Sequence, residues 1–151
     1  MRLLIQRVSH AKVTVDGEVT GEIGKGMLVF LGIGADDDQP ACRKFAEKIV
    51  RLRIFEDADG KMNLDIEETG GSILVVSQFT LYGDVRKGNR PSFTNAAPPE
   101  KGEELYGQFC KELEAFLGAH RIARGRFRAM MDVELTNVGP VTIWLDTDVH
   151  K

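Results

Sequence analysis

The sequence predicts an α/β fold of the α+β-like kind: β-sheets packed face to face in a barrel-like arrangement, with two helices on one side, as β/β/α layers. Three observations lead there. Runs rich in β-branched residues open and close the chain and recur in its middle. Only two segments carry a helical apolar stripe of useful length. Glycine-bearing turns join many of the strands as hairpins, and the strand–helix–strand repetition of a doubly wound sheet is not seen. With 151 residues, no linker and no internal repeat, residues 1–151 read as one domain.

Leu3 to Val15 alternates imperfectly and reads as a strand. Asp16-Gly17 is a two-residue hairpin signal, so Glu18 to Ile23 should return beside it. Met27 to Gly34 is a continuous apolar run, the pattern of a strand buried on both faces. Asp36, Asp37 and Asp38 offer N-caps, with Pro40 near the first helical turn. Cys42, Phe45, Ala46, Ile49, Val50 and Leu52 then share one stripe of a helix from Ala41 to about Leu52. After the Asp59-Gly60 turn and Gly70-Gly71, Ile73 to Val76 is a second buried strand. Gly83 to Pro99 reads as a long polar segment. Pro98 and Pro99 set up a helix from about Glu100 to Leu117, whose stripe includes Leu105, Phe109, Leu113, Phe116 and Leu117. Strands are expected again at Phe127 to Thr136 and at Val141 to Thr147.

Composition narrows the function classes. Hydrophobic content of 42% and charged content of 28% are those of an ordinary soluble globular protein. No run approaches the roughly eighteen apolar residues of a membrane span, and Met1 to Arg7 does not read as a signal peptide, so neither membrane attachment nor export is expected. Cys42 and Cys110 read as reduced, partly buried thiols of a cytosolic protein. A net charge of −3 argues against a generally basic nucleic-acid coat protein. Two local basic candidates remain, Arg86-Lys87-Gly88-Asn89-Arg90 and the set Arg121, Arg124, Arg126 and Arg128; each reads equally as a solvated face.

The usual catalytic kit is missing from the sequence. His10, His120 and His150 share no metal-ligand spacing with one another or with the cysteines, so no metal or cofactor is expected. No local serine–histidine–acid arrangement stands out, and Gly21, Gly24 and Gly26 fit a hairpin better than a phosphate cradle. Two tracts are informative. Ser77-Gln78-Phe79-Thr80 follows a buried strand, where backbone amides become unpaired and small polar side chains converge; it reads as a ligand site or as alternate residues of a half-exposed strand. Gly139-Pro140 interrupts two strand-like runs, since proline cannot donate to a ladder. It reads as a hairpin turn or as a rigid main-chain corner presented to a ligand.

Ser77 to Leu81, Arg86 to Thr94 with Ala97-Pro98-Pro99, and Asn-x-Gly-Pro-Val-Thr at 137–142 together resemble the D-aminoacyl-tRNA deacylases. Gln6-Arg7-Val8, Gly17 to Gly24, Arg53 to Asp57 and Gly60 to Leu64 match as well, so the resemblance covers nearly the whole chain. It implies a cytoplasmic homodimer that hydrolyses the ester joining a D-amino acid, or glycine, to the 3′-terminal adenosine of tRNA. Ser77 and Gln78 would bind the adenosine and the aminoacyl ester. Phe79 and Thr80 would contribute catalytic backbone amides, with the tRNA 2′-hydroxyl assisting. Gly139-Pro140, joined by a cis peptide bond, would reach in from the opposite subunit and leave no space for an L side chain. Arg7 would brace that corner, or else is a surface cation. A non-catalytic module binding the tRNA 3′ end, and a small-ester hydrolase using Thr80 as nucleophile, are the alternatives. Two departures from the family pattern stand out: Arg128 where a small residue is common, and Val138 where Asp is usual before Gly-Pro. They bear on how the rim meets tRNA and how Met130 and Met131 sit, residues that also read as core filler.

Overall fold

The structure, a computed structural model, describes residues 1–149, so His150 lies outside the described residues. Its frame is one mixed sheet. β1 (Arg2–Val15) and β2 (Glu18–Ile23) form the first hairpin, and Asp16 (φ 49°) and Gly17 (φ 80°) occupy the two left-handed positions of a type I′ turn. β3 (Gly26–Gly32) returns antiparallel to β1, pairing Leu3 with Leu31 and Val8 with Gly26. β1 is therefore shared: its first half pairs with β3 and its second half with β2.

The next links differ from the hairpin expectation. α1 (Gln39–Val50) follows β3, its N-cap Asp38 accepting from the Ala41 amide and Pro40 lying in the first turn. A small hairpin of β4 (Phe55–Glu56) and β5 (Met62–Leu64) and a short α2 (Ile66–Thr69) come next. The chain then enters β6 (Ser72–Ser77) parallel to β3. α3 (Pro99–Leu117) leads in the same way to β7 (Ile122–Arg124), parallel to β6. Two strand–helix–strand crossovers thus exist where the sequence suggested mostly hairpins. α2 was not anticipated, although Asp65 and Glu68 form a reciprocal capping box whose Asp-x-x-Glu spacing is visible in the sequence.

β8 (Asp132–Asp146) pairs antiparallel with β1 along nearly its whole length. The residues before it, Phe127 to Met131, form a turn and loop rather than the expected strand. β7 approaches β2 so closely that a Cβ on Gly21 would lie 2.3 Å from the Arg124 carbonyl oxygen, which is how the sheet nearly closes into a barrel.

Two apolar clusters fill the two sides of this sheet. Leu3, Ile5, Met27, Val29, Leu31, Ile73 and Val75 face α1 and α3, meeting Phe45, Ile49, Phe109 and Leu113. The alternate residues Leu28, Leu74 and Val76 point into the barrel with Ala11, Val13 and Val15. That is why β3 and β6 read as unbroken apolar runs, and it gives the layered α/β arrangement expected from the sequence. The imperfect alternation of β1 has a cause too: its register on β8 shifts between Val8 and His10, which moves the inward parity from Val8 to Ala11.

Cys42 and Cys110 are both buried and free. Burial, with a lesser push from Asp37, raises the Cys42 thiol to about 12, and burial raises Cys110 to about 11. Iodoacetamide at about pH 8 should leave both thiols unmodified in the native protein and alkylate both in denaturant. Rapid native alkylation would contradict this packing.

Candidate functional site

β6 ends the site's floor. Gln78 leaves the strand with its amide donating to the Leu31 carbonyl at 2.8 Å, and a 3₁₀ turn then runs from Phe79 to Tyr82. Leu81 N donates to Gln78 O at 3.2 Å and Gly83 N to Thr80 O at 2.9 Å. The amides of Phe79 and Thr80 open the turn, where N–H groups have no carbonyl behind them to bond. Arg2 pins the far side: its Nη1 donates to Leu81 O at 2.9 Å, and its guanidinium lies 4.4 Å from the centre of the Tyr82 ring.

Above this turn lies a cleft of about 610 Å³. Ser77, Gln78 and Phe79 line it on one side, Phe93, Ala96 and Ala97 on a second, and Phe127, Arg128, Ala129 and Met131 on a third. Phe79 is 56% exposed and meets Phe93 edge to face at 5.0 Å. Thr80 is exposed, its hydroxyl oxygen accepting from the Gln78 side-chain amide. An amide that donates to this oxygen cannot take its proton, so it supplies no base for a threonine nucleophile. Among the described residues no group of three or more His, Cys, Asp or Glu side chains is placed to hold a metal ion.

Gly139-Pro140 is not a hairpin turn. Within β8 the register passes from Thr142 opposite Gln6 to Asn137 opposite Val8, leaving Val138 to Val141 out of the ladder as a bulged corner. Its peptide bond is cis, and Val138, Gly139 and Pro140 are exposed. The corner is built by its neighbours. Asn137 Oδ1 accepts from Val141 N at 2.9 Å, while its Nδ2 donates to Thr142 Oγ1 at 3.0 Å. Gly139 sits at φ 133°, where L side chains rarely go, and a Cβ there would lie 2.9 Å from Arg7 Nη2.

Arg7 is no surface cation: it is 7% exposed. Its Nε donates to Val138 O at 2.9 Å and its Nη1 to Ile54 O at 2.8 Å, tying the corner to the segment before β4. Glu56 stands 3.9 Å from Nη2, a weak exposed pairing. Arg7→Ala strips two carbonyls of their donor and opens a hole, so it should cost about 2–4 kcal/mol in urea unfolding, and Arg7→Lys, which cannot fork to both, an intermediate amount. A loss below about 0.5 kcal/mol would show that the brace contributes nothing.

The structure brings Ser77, Gln78 and Phe79 together in the cleft, with Thr80 beside it. Arg7, Gly139 and Pro140 gather elsewhere on the same chain and do not line it. Of the basic candidates, Arg86 is held by Asp84 at 2.6 Å, Arg121 donates to the Gly71 and Ile66 carbonyls, and Arg124 pairs with Glu114. Arg86, by side-chain hydrogen bonding above all, holds the Asp84 carboxyl down at about 2. Sequence reasoning assigns no role to Asn137, Phe93 or Phe127, which the structure places in the corner and in the cleft lining. Asn137 alone carried a signal, an Asx residue four positions before the amide it caps.

A nearly closed mixed barrel, with a cleft at the end of a buried strand and a glycine–proline corner braced by a buried arginine, defines a recognisable class. The family model described as D-Tyr-tRNA(Tyr) deacylase matches residues 4–146, and the chain belongs to that family. Among curated relatives, the D-aminoacyl-tRNA deacylase of Syntrophobacter fumaroxidans is 57% identical over 147 residues, covering 97% of each chain. That of Escherichia coli is 52% identical over 148 residues, covering 96% of this chain and 99% of its own. Among solved structures, one titled c-Myc DNA Unwinding Element Binding Protein superposes with a TM-score of 0.93 at 42% identity, covering 97% of this chain and 99% of that one. A probable eukaryotic D-amino acid tRNA deacylase, 20% identical, shares the fold with a TM-score of 0.83 over 95% of this chain and 97% of its own.

Proposed function

We propose that the chain hydrolyses the ester between a D-amino acid, or glycine, and the 3′-terminal adenosine of tRNA, and spares the L-aminoacyl ester. By its family membership it is a D-aminoacyl-tRNA deacylase, a carboxylic ester hydrolase. The observation that carries the finer reading is the corner: a main-chain device held from behind by Arg7 and Asn137 and turned outward to solvent. A filter built from the protein's own main chain can hold the α-amino group and leave no space for an L side chain, whatever that side chain is. Such a filter suits an enzyme that must accept many D-amino acids and works by excluding the L branch.

Because corner and cleft lie apart on one chain, the filter needs a second copy. In a two-fold homodimer each corner would enter the partner's cleft, its carbonyls holding the substrate's α-amino group. The terminal adenosine and the ester would lie against Ser77, Gln78 and Phe79. The amides of Phe79 and Thr80 would stabilise the oxyanion as the carbonyl becomes tetrahedral. An aminoacyl ester is activated, and the neighbouring ribose 2′-hydroxyl can orient or activate the attacking water, so positioning does most of what a protein base would otherwise do. No cofactor is needed, and the substrate places the protein in the cytoplasm.

The Thr80 nucleophile is disfavoured by the Gln78 amide on its hydroxyl oxygen. The non-catalytic tRNA-end module differs by outcome alone. Incubation with D-Tyr-tRNA, Gly-tRNA and L-Tyr-tRNA should release free amino acid from the first two and leave the third intact. Release from all three, or from none, contradicts the proposal.

A further inference from the structure

Among the described residues that line the cleft, Arg128 alone carries a charge. Of the other arginines in this stretch, Arg121 is committed to two carbonyls and Arg124 to Glu114, while Arg126, also exposed, does not line the cleft. Arg128 is exposed, and among the described residues its guanidinium has neither a hydrogen bond nor an ion pair. Its backbone is unusual as well. Ala129 N donates to Arg126 O at 3.2 Å, closing a turn in which Arg128 takes φ 63°. Glycine is favoured at such a position, and the one other non-glycine residue with positive φ among the described residues is Asp16 in its hairpin. A long cation held in a left-handed turn at the mouth of an otherwise uncharged cleft packs no core and pairs no acid. Its chemistry calls for an anion brought by the ligand.

We propose that Arg128 binds the phosphodiester immediately 5′ to the terminal nucleoside of an RNA whose end occupies the cleft. This rests on the reading of the cleft as the site for the tRNA 3′-terminal adenosine. With the nucleoside lodged against Ser77 and Phe79, the first anion of the strand lies one sugar away, at the mouth rather than the floor. The guanidinium fork suits the two non-bridging oxygens of a phosphodiester. Arg128 is then a binding residue that favours the end of a nucleic-acid strand over a free nucleoside ester.

Calorimetric titration of wild type, Arg128→Gly and Arg128→Lys with adenosine and with the dinucleotide cytidylyl-(3′→5′)-adenosine tests this. Glycine suits φ 63°, so Arg128→Gly keeps the turn, and an unchanged melting curve verifies it. Wild type should bind the dinucleotide about tenfold more tightly than adenosine, and Arg128→Gly should erase that difference while leaving adenosine binding unchanged. The salt slope for the dinucleotide should fall by about 0.7, and Arg128→Lys should retain part of both effects. Dinucleotide binding unaltered by Arg128→Gly overturns the proposal, as does an equal loss for both ligands, which would mean that Arg128 only shapes the cleft. If wild type binds neither ligand, the adenosine reading of the cleft fails and the proposal falls with it.

Discussion

D-Tyr-tRNA ending in 2′-deoxyadenosine should be deacylated about 10²–10⁴-fold more slowly than the same tRNA ending in adenosine, with little change in binding. That range is what a positioned proton-transfer group contributes, and the protein offers no candidate of its own in the cleft: its lining has no His, Asp, Glu or Lys among the described residues. Thr80→Ala is the companion variant. It removes a hydroxyl that accepts from Gln78 but keeps the main-chain amide, so single-turnover rates should stay within about tenfold of wild type. If the deoxy substrate reacts normally and Thr80→Ala is dead while folded, the chemistry belongs to Thr80 and the substrate-assisted account is wrong.

Gly139→Ala should lower kcat/KM on D-Tyr-tRNA by at least about tenfold and shrink the ratio of D to L turnover. The added Cβ would lie 2.9 Å from both Arg7 Nη2 and Val141 Cγ2, at a φ of 133° that alanine avoids. Something in the corner must move, and the Arg7 fork that sets the corner is what stands in the way. Because the corner is exposed, global stability should fall by only about 1–3 kcal/mol, the cost of backbone strain. Gly17→Ala is the control: it sits at φ 80° with nothing within 4 Å of a new Cβ, so it should lose comparable stability and no activity. Equal activity losses in the two variants would reduce the corner to a structural feature.

How much of this was legible beforehand depends on whether the signal was local. Asp16-Gly17, the Asp38 cap and the unbroken runs of β3 and β6 each declare themselves within a few residues, and all are as expected. The parallel pairing of β3 with β6 and of β6 with β7 joins segments tens of residues apart, and no short-range pattern encodes it. The corner shows the same limit from the other side. Glycine–proline between two apolar runs favours a hairpin locally, but β1 is long enough to pair with both runs, so the strand continues and the pair bulges out.

The site divides likewise. Ser77 to Phe79 could be found because a buried strand stops there. The brace by Arg7 was legible only through the family resemblance and not from the residues themselves, because an arginine in a first strand is defined by what it meets, here the carbonyls of Val138 and Ile54. Phe93 and Phe127 reach the cleft from separate loops, and only the folded chain assembles them around Phe79.

The central claim, that each cleft is completed by the partner's corner, is tested most directly by mixing two impaired variants. Ala129→Trp blocks the cleft and leaves the corner; Gly139→Ala spoils the corner and leaves the cleft. Ala129→Trp should be nearly inactive alone, and Gly139→Ala at least about tenfold impaired. Co-refolded, they should yield mixed dimers with one intact cleft facing one intact corner, and D-Tyr-tRNA deacylation should return to about half the wild-type rate per mixed dimer. No recovery in a mixture verified to contain the mixed species would mean that the corner does not act across the dimer.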